Sequence, residues 1–302
     1  VRIFAVLSAL LASALCAEGI EKYFVKIENK VAHSPIRNID FIYLINLDRR
    51  PERFLCSFRQ LKQYGIYPCR VAAVDGNELS LETINAVGLV FSPGMKKDIW
   101  AASYPLGGDG QREDEFLTEK SYGKVCFAPW MSRGAIGCVL SHLSCLQDAY
   151  DSGYEIIWVM EDDIMICESP SRLTDLVDEL NQLTETWDIL YTDCDFLGPK
   201  KEEGVPWYLE RPDQSEQEFA KSFEWNWYRM NEYFTKIGTR ICTHSMVIHR
   251  RGIKKILDHL KSRPIYIPID HELSLVPDIQ LYTLNFPLVT SLKIPGDIQQ
   301  IP

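Results

Sequence analysis

An α/β sandwich built on a mainly parallel sheet is the fold class that these 302 residues predict, on three observations. The near-continuous apolar run "DFIYLINLD" (40–48) reads as a strand buried on both faces, the mark of a sheet covered by helices. Behind it come a helical stretch and a second strand, "YPCRVAAVDG" (67–76), so the mature fold opens on a βαβ unit. Strand and helix patterns keep alternating afterwards, through "YEIIWVMEDDIMI" (154–166) as the central strand and "WDILYTDCD" (187–195) as another.

The elements follow in order. Residues 1–17, within "VRIFAVLSALLASALCAEG", have one Arg, an apolar stretch and small residues before Glu18, the pattern of a secretory signal peptide. The run is shorter than the ~20 apolar residues a spanning helix needs, so no stable membrane span is expected. Residues 18–39 form a lead-in, with Ile20, Tyr23, Phe24, Ile27 and Val31 at helical spacing, and residues 40–302 form one domain. In "RRPERFLCSFRQLKQYG", Phe54, Leu55, Phe58 and Leu61 share a face and Gly65 marks the stop. Residues 92–130 have no sustained period and read as a long excursion. A helix over 132–153 runs from Ser132 as N-cap to Gly153. Residues 169–183 form an amphipathic helix with Pro170 in its first turn. The stretch 199–235, carrying Trp207, Trp225 and Trp227, is a second excursion. "TRICTHSMVIHRRGIKKILDHL" (239–260) reads as strand then helix, and "IYIPIDHELSLV" and "IQLYTLNFPLVT" close the chain.

Composition narrows the function. A net charge of -10 with no basic stripe argues against nucleic acid, because phosphate neutralisation needs clustered Lys and Arg. The nine cysteines include no CxxC pair and no zinc spacing with His, and one or two disulfides remain open. Acids stand instead at four strand ends: Asp48, Asp75, Glu161-Asp162-Asp163, and Asp193 or Asp195. Ligands of such sheets bind outside the carboxyl ends of the strands, so these acids would make one anionic pocket suited to Mg²⁺ or Mn²⁺. Taken singly, each acid is equally a helix cap or turn residue, but ordinary capping needs one carboxylate, not three in a row. Arg49, Arg50 and Arg53 follow the first strand and can hold a diphosphate or form a solvated helix face. His142 is either a core histidine or a site residue, and Asp270 of "PIDHEL" either a helix cap or a general base.

These stretches in this order resemble glycosyltransferase family 25, which includes lipopolysaccharide and procollagen galactosyltransferases. "YLINLDRRPERF", "VAAVDG", "GAIGCVLSHLSCLQDA", "WVMEDDI", "THSMVIHRRGIKKIL" and "PIDHEL" carry the resemblance over about residues 40–275. It implies a GT-A type α/β fold with a divalent cation, Mn²⁺ or Mg²⁺, on Asp162 and Asp163. It also implies a donor site of Asn46, Asp48, Arg49, Arg53, Asp75, Ser141, His142 and Glu161, with Asp270 as the base. His244 matches a motif position without an assigned role, as a metal or acceptor contact. Ala135 stands where relatives often have a carboxylate. The reaction implied is inverting transfer of a hexose, galactose from UDP-galactose, to a hydroxyl of a glycan, glycolipid or protein. The excursions, with their Trp residues, are where the acceptor is expected to be read. Two alternatives stay open: a non-catalytic binding module on the same fold, and a metal-dependent phosphohydrolase. The leader implies a secretory lumen in a eukaryote; in a bacterium the expectation is a cytoplasmic or membrane-associated protein.

Overall fold

The computed structural model describes residues 19–108, 110–194, 209–214 and 227–292; the expected leader at 1–17, Asp195, Trp207 and Trp225 lie outside them. In chain order the first half holds β1 (Phe41–Asn46), α1 (Pro51–Lys62), β2 (Cys69–Ala72), α2 (Leu81–Val87), β3 (Leu89–Val90), β4 (Ile99–Ser103), β5 (Glu113–Leu117), β6 (Val125–Cys126) and α3 (Arg133–Ser152). The second holds β7 (Ile156–Glu161), β8 (Ile164–Ile166), α4 (Leu173–Leu183), β9 (Ile189–Tyr191), β10 (Tyr228–Arg229), β11 (Phe234–Ile237), β12 (Ser245–His249), α5 (Arg250–Lys261), α6 (Ile269–Leu273), β13 (Leu281–Leu284) and β14 (Val289–Ser291).

An eight-stranded sheet in the order β10-β11-β13-β9-β12-β7-β1-β2 runs through the centre. β2, β1 and β7 are parallel neighbours, and β9 is parallel to β13. β12 is antiparallel to β7 and β9, and β11 to β13 and β10, so only β11 and β12 oppose the common direction. This is the expected α/β sandwich, of the GT-A type the resemblance implies. Every residue of β1 is buried, as its apolar run requires. Alternate residues feed two cores: Tyr43, Ile45, Ile157 and Val159 pack toward α3 and α5, while Ile42, Leu44, Trp158 and Met160 meet Leu61 and the apolar stripe of α4.

Helix α3 keeps its predicted bounds. Ser132 Oγ accepts the Ala135 N–H, and Gly153 closes the helix at φ +76°. Gly137 lets this helix lie backbone-to-backbone on the loop after β2, since a Cβ there would come 2.4 Å from the Val74 carbonyl oxygen.

Three expectations change. The stretch 154–166 is two strands, because the chain turns at Asp162-Asp163: β7 stays in the sheet and β8 pairs with β14. Adjacent carboxylates cannot continue along a strand buried on both faces. The lead-in makes only one 3₁₀ turn, Ile20–Tyr23, before extending over α3, where the Val25 N–H donates to Ser144 Oγ. So short a segment lacks enough helical bonds to offset nucleation. The excursion 92–130 contains the antiparallel hairpin β4–β5 and pairs β3 with β6, while Leu55 of α1 faces solvent. The described cysteines form no disulfide with one another. Among the described residues, no helix is long and apolar enough to cross a membrane.

Candidate active site

Three parallel strands, β2, β1 and β7, end side by side, and a cleft opens beyond their carboxyl ends. It encloses about 580 Å³, its solvent-facing part included. Asn46, Arg53, Ser141, His142, Glu161, Asp162 and Asp163 all line it.

Asn46 is fully buried and spends its amide on the neighbours. Its Nδ2 donates to Asp162 Oδ2 at 2.6 Å and to the Arg50 carbonyl at 2.8 Å, while Oδ1 accepts from Arg70. Arg53, in the first turn of α1, lies 3.7 Å from Asp162 Oδ1 with both side chains mostly covered. Ser57 Oγ donates to the Asp162 carbonyl and so fixes the turn. Ser141 acts on the backbone: Oγ accepts the Val74 N–H and donates to the Gly137 carbonyl, clamping the β2 loop to α3.

The three acids diverge. Glu161 Oε1 lies 3.1 Å from His142 Nε2 and accepts from Thr243 Oγ1. Burial opposes its charge, yet His142, Thr243 and His244 together hold its carboxyl below the usual range. Asp162 faces Asn46 and Arg53. Asp163 accepts from Ser291 through Oδ2, but its Oδ1 is buried with no hydrogen-bond partner. Burial, then the charges of Glu161 and Asp162, push Asp163 up to about 6.

Other predicted site residues stand outside the cleft lining. Asp48 is largely solvent-exposed and pairs with Arg70. Arg49 and Asp75 pair at 2.6 Å, tying together the loops after β1 and β2 at the rim. Arg50 pairs with Glu52. Asp193 does not open into the pocket expected of the strand-end acids: it is fully buried against Arg240 and His244, its charge matched there. Asp270 lies in the first turn of α6 but is not its cap, a position Pro268 takes. Its Oδ2 accepts the Cys242 N–H at 2.8 Å, where Cys242 adopts a left-handed φ of +76°. Its charge reaches Cys138, a residue of the cleft wall.

Two features escaped the sequence reading. Cys138 Sγ, His142 and Glu161 offer ligand atoms within 4.8 Å of one another, a group hidden because the first two lie on α3 and Glu161 ends β7. The i, i+4 spacing of Cys138 and His142 on one helix was its visible half. Residues 209–214 also matter: Arg211 is buried between Glu272 and Asp213, and its Nη2 donates to the Pro264 carbonyl, so it ties α6 to the segment that leads into it. Nothing in the polar stretch around Arg211 singled it out.

Comparison with known proteins gives the relatives. The profile of the family described as "Glycosyltransferase family 25 (LPS biosynthesis protein)" matches residues 39–273. Procollagen galactosyltransferase 1 of Danio rerio is 25% identical over 254 residues, which cover 82% of this chain and 33% of that protein. Procollagen galactosyltransferase 2 of Homo sapiens is 29% identical over 153 residues, 50% of this chain and 20% of its own length. A protein of Bos taurus named "Probable inactive glycosyltransferase 25 family member 3" is 26% identical over 171 residues, 55% of this chain and 24% of its own. The chain thus spans about a third or less of the length of these curated relatives.

Proposed function

This chain belongs to glycosyltransferase family 25, and from that premise we propose that it is an inverting, cation-dependent transferase. It moves galactose from UDP-galactose to a hydroxyl of a glycan, glycolipid or protein. The observation that carries this reading is the cleft at the strand ends, where Asp163 keeps a buried carboxylate oxygen without a partner beside two further acids. Crowded, desolvated carboxylates fit a hard divalent cation, Mn²⁺ or Mg²⁺, and Asp162 and Asp163 would hold it. When bound, the cation neutralises charge building on the leaving diphosphate. Arg53, beside Asp162, offers a second positive charge to the same phosphates. Asn46 and Ser141 keep the cleft walls in register, as their hydrogen bonds indicate. Asp270 takes the proton of the acceptor hydroxyl, the role its motif implies by resemblance, with Oδ2 oriented by the Cys242 N–H.

The acceptor is read by the excursions. Exposed Trp100 packs edge-on against Phe116 on the β4–β5 hairpin, and Trp227 is 65% exposed, so both present aromatic faces on which sugar rings stack. In a eukaryote, residues 1–17 are expected to direct the protein to a secretory lumen, and protease protection of the full chain in microsomes tests this.

The experiment is UDP release from a panel of nucleotide sugars, with and without Mn²⁺, followed by assignment of the product anomer. Turnover with UDP-galactose and Mn²⁺, abolished in Asp163→Ala, is expected; a retained anomeric configuration rejects inversion. A second reading, a binding module without turnover, starts from Ala135, where the motif of the family it resembles implies an acid. Its side chain is buried in the core and does not line the cleft. Tight binding of UDP with Mn²⁺ but no transfer to any acceptor supports that module.

A further inference from the structure

We propose that Cys138, His142 and Glu161 form a second metal site in the cleft, one that takes Zn²⁺ and is separate from the hard-cation site of Asp162 and Asp163. It goes beyond the transferase reading and stands or falls without it.

Helix α3 fixes two of the donors. Cys138 and His142 are four residues apart, so they share one face of the helix, a turn from each other. Glu161, the last residue of β7, brings the third donor from the sheet. The three ligand atoms lie within 4.8 Å of one another, and His142 Nε2 is 3.1 Å from Glu161 Oε1. Ligands of a tetrahedral Zn²⁺, with bonds of about 2.0–2.3 Å, stand roughly 3.3–3.7 Å apart, so side-chain rotation closes this group on an ion. An ordinary buried pair accounts for the contact of His142 with Glu161; the thiol at the third corner turns the pair into a ligand set. All three residues line the cleft, His142 buried and the other two half-buried. The fourth corner of the tetrahedron is thereby left for water or an anion. Thr243 Oγ1 donates to Glu161 Oε1 at 2.7 Å and orients the carboxylate.

The donor set chooses the metal. Thiolate and imidazole suit Zn²⁺, whereas Mg²⁺ and Mn²⁺ favour the oxygen ligands that Asp162 and Asp163 offer. On binding, Cys138 gives its thiol proton to solvent and the neutral His142 ring carries its proton on Nδ1, leaving sulfur and Nε2 to the ion.

The test is Co²⁺ and Zn²⁺ binding to the full chain under reducing conditions. Co²⁺, standing in for Zn²⁺, should give the near-ultraviolet charge-transfer band of a bound thiolate. An equal amount of Zn²⁺ should bleach that band, and Mg²⁺ should not. The band should vanish in Cys138→Ser and persist in Cys242→Ser and Asp163→Asn. Zn²⁺ affinity should fall by about 100-fold or more in His142→Gln, and by roughly 10- to 100-fold in Thr243→Val, which removes only an outer partner. No band in the wild-type protein, or a band kept in Cys138→Ser, overturns the site. A band lost in Cys242→Ser instead assigns the metal to another thiol and overturns it too. Loss in Asp163→Asn merges the two sites and overturns their separation. If Cys138→Ser does not fold, zinc X-ray absorption of the wild-type protein decides: a shell that includes sulfur supports the site, and one of oxygen and nitrogen alone overturns it. Mn²⁺-dependent transfer by a protein that gives no band rejects this site and leaves the proposed function standing; a band without transfer does the reverse.

Discussion

Asp163 concentrates the chemistry of the cleft in one side chain. Its carboxyl sits at about 6, above an ordinary 3.8, because burial and two neighbouring acids disfavour its charge. The sign follows from that direction. Below about pH 4 the group is protonated in both folded and unfolded chains and costs nothing. Above about pH 6 the metal-free folded protein carries the full penalty, so its stability falls as pH rises through that window. Asp163→Asn should therefore raise the melting temperature of the metal-free protein at pH 8, by on the order of 2–6 °C, while abolishing transfer. A melt unchanged or lowered at pH 8 contradicts this account of the site. A cation needs the ionised form, so Mn²⁺ affinity should weaken as pH falls through about 6, with a proton released on binding. Titration calorimetry in buffers of different ionisation enthalpy reads both effects, and a pH-independent affinity counts against Asp163 as a ligand.

Short elements are held by partners far away in sequence. Helix α6, with Asp270 in its first turn, spans only Ile269–Leu273 and depends on the buried pair Glu272–Arg211 at 2.8 Å. Burial raises the Glu272 carboxyl, but the Arg211 charge and His259 outweigh it and bring it to about 2. Arg211→Met strips that charge from a buried acid, which costs about 3 kcal/mol or more. A melting point lower by on the order of 10 °C is expected, with kcat falling even below the melt; full activity in a destabilised variant separates the brace from the site. On the β4–β5 hairpin, Trp100→Ala should raise the acceptor KM several-fold with the donor KM unchanged. Equal changes in both would place Trp100 outside acceptor recognition. Helix α3 shows how legible an element is when its ends carry the signal: Ser132 and Gly153 bound it in the sequence and in the fold. The 154–166 stretch shows the opposite, since the apolar residues on both sides of Asp162-Asp163 hide a turn that only pairing of β8 with β14 reveals.

Across the molecule, strand order does what no local pattern can. β1 is flanked by β2 and β7, so the loop after residue 46, the loop after residue 72 and the turn at 162 meet, although more than a hundred residues separate the first from the last. UDP and Mn²⁺ added together should raise the melting temperature by several degrees, since a ligand at 100 times its Kd adds about 2.7 kcal/mol. UDP alone should give a smaller shift; no shift with either counts against a nucleotide in this cleft. The sequence by itself determined the sandwich, its buried strands and most helix ends, because apolar periodicity and capping residues are local. It also marked Asn46, Arg53, His142 and the three acids, since short motifs concentrate them. Only the tertiary structure decided that Asp48 faces water, that Arg49 and Asp75 tie the rim, and that Asp193 is buried behind His244. Those outcomes depend on which charges end up opposite one another, and that is set by the register of strands distant in the chain.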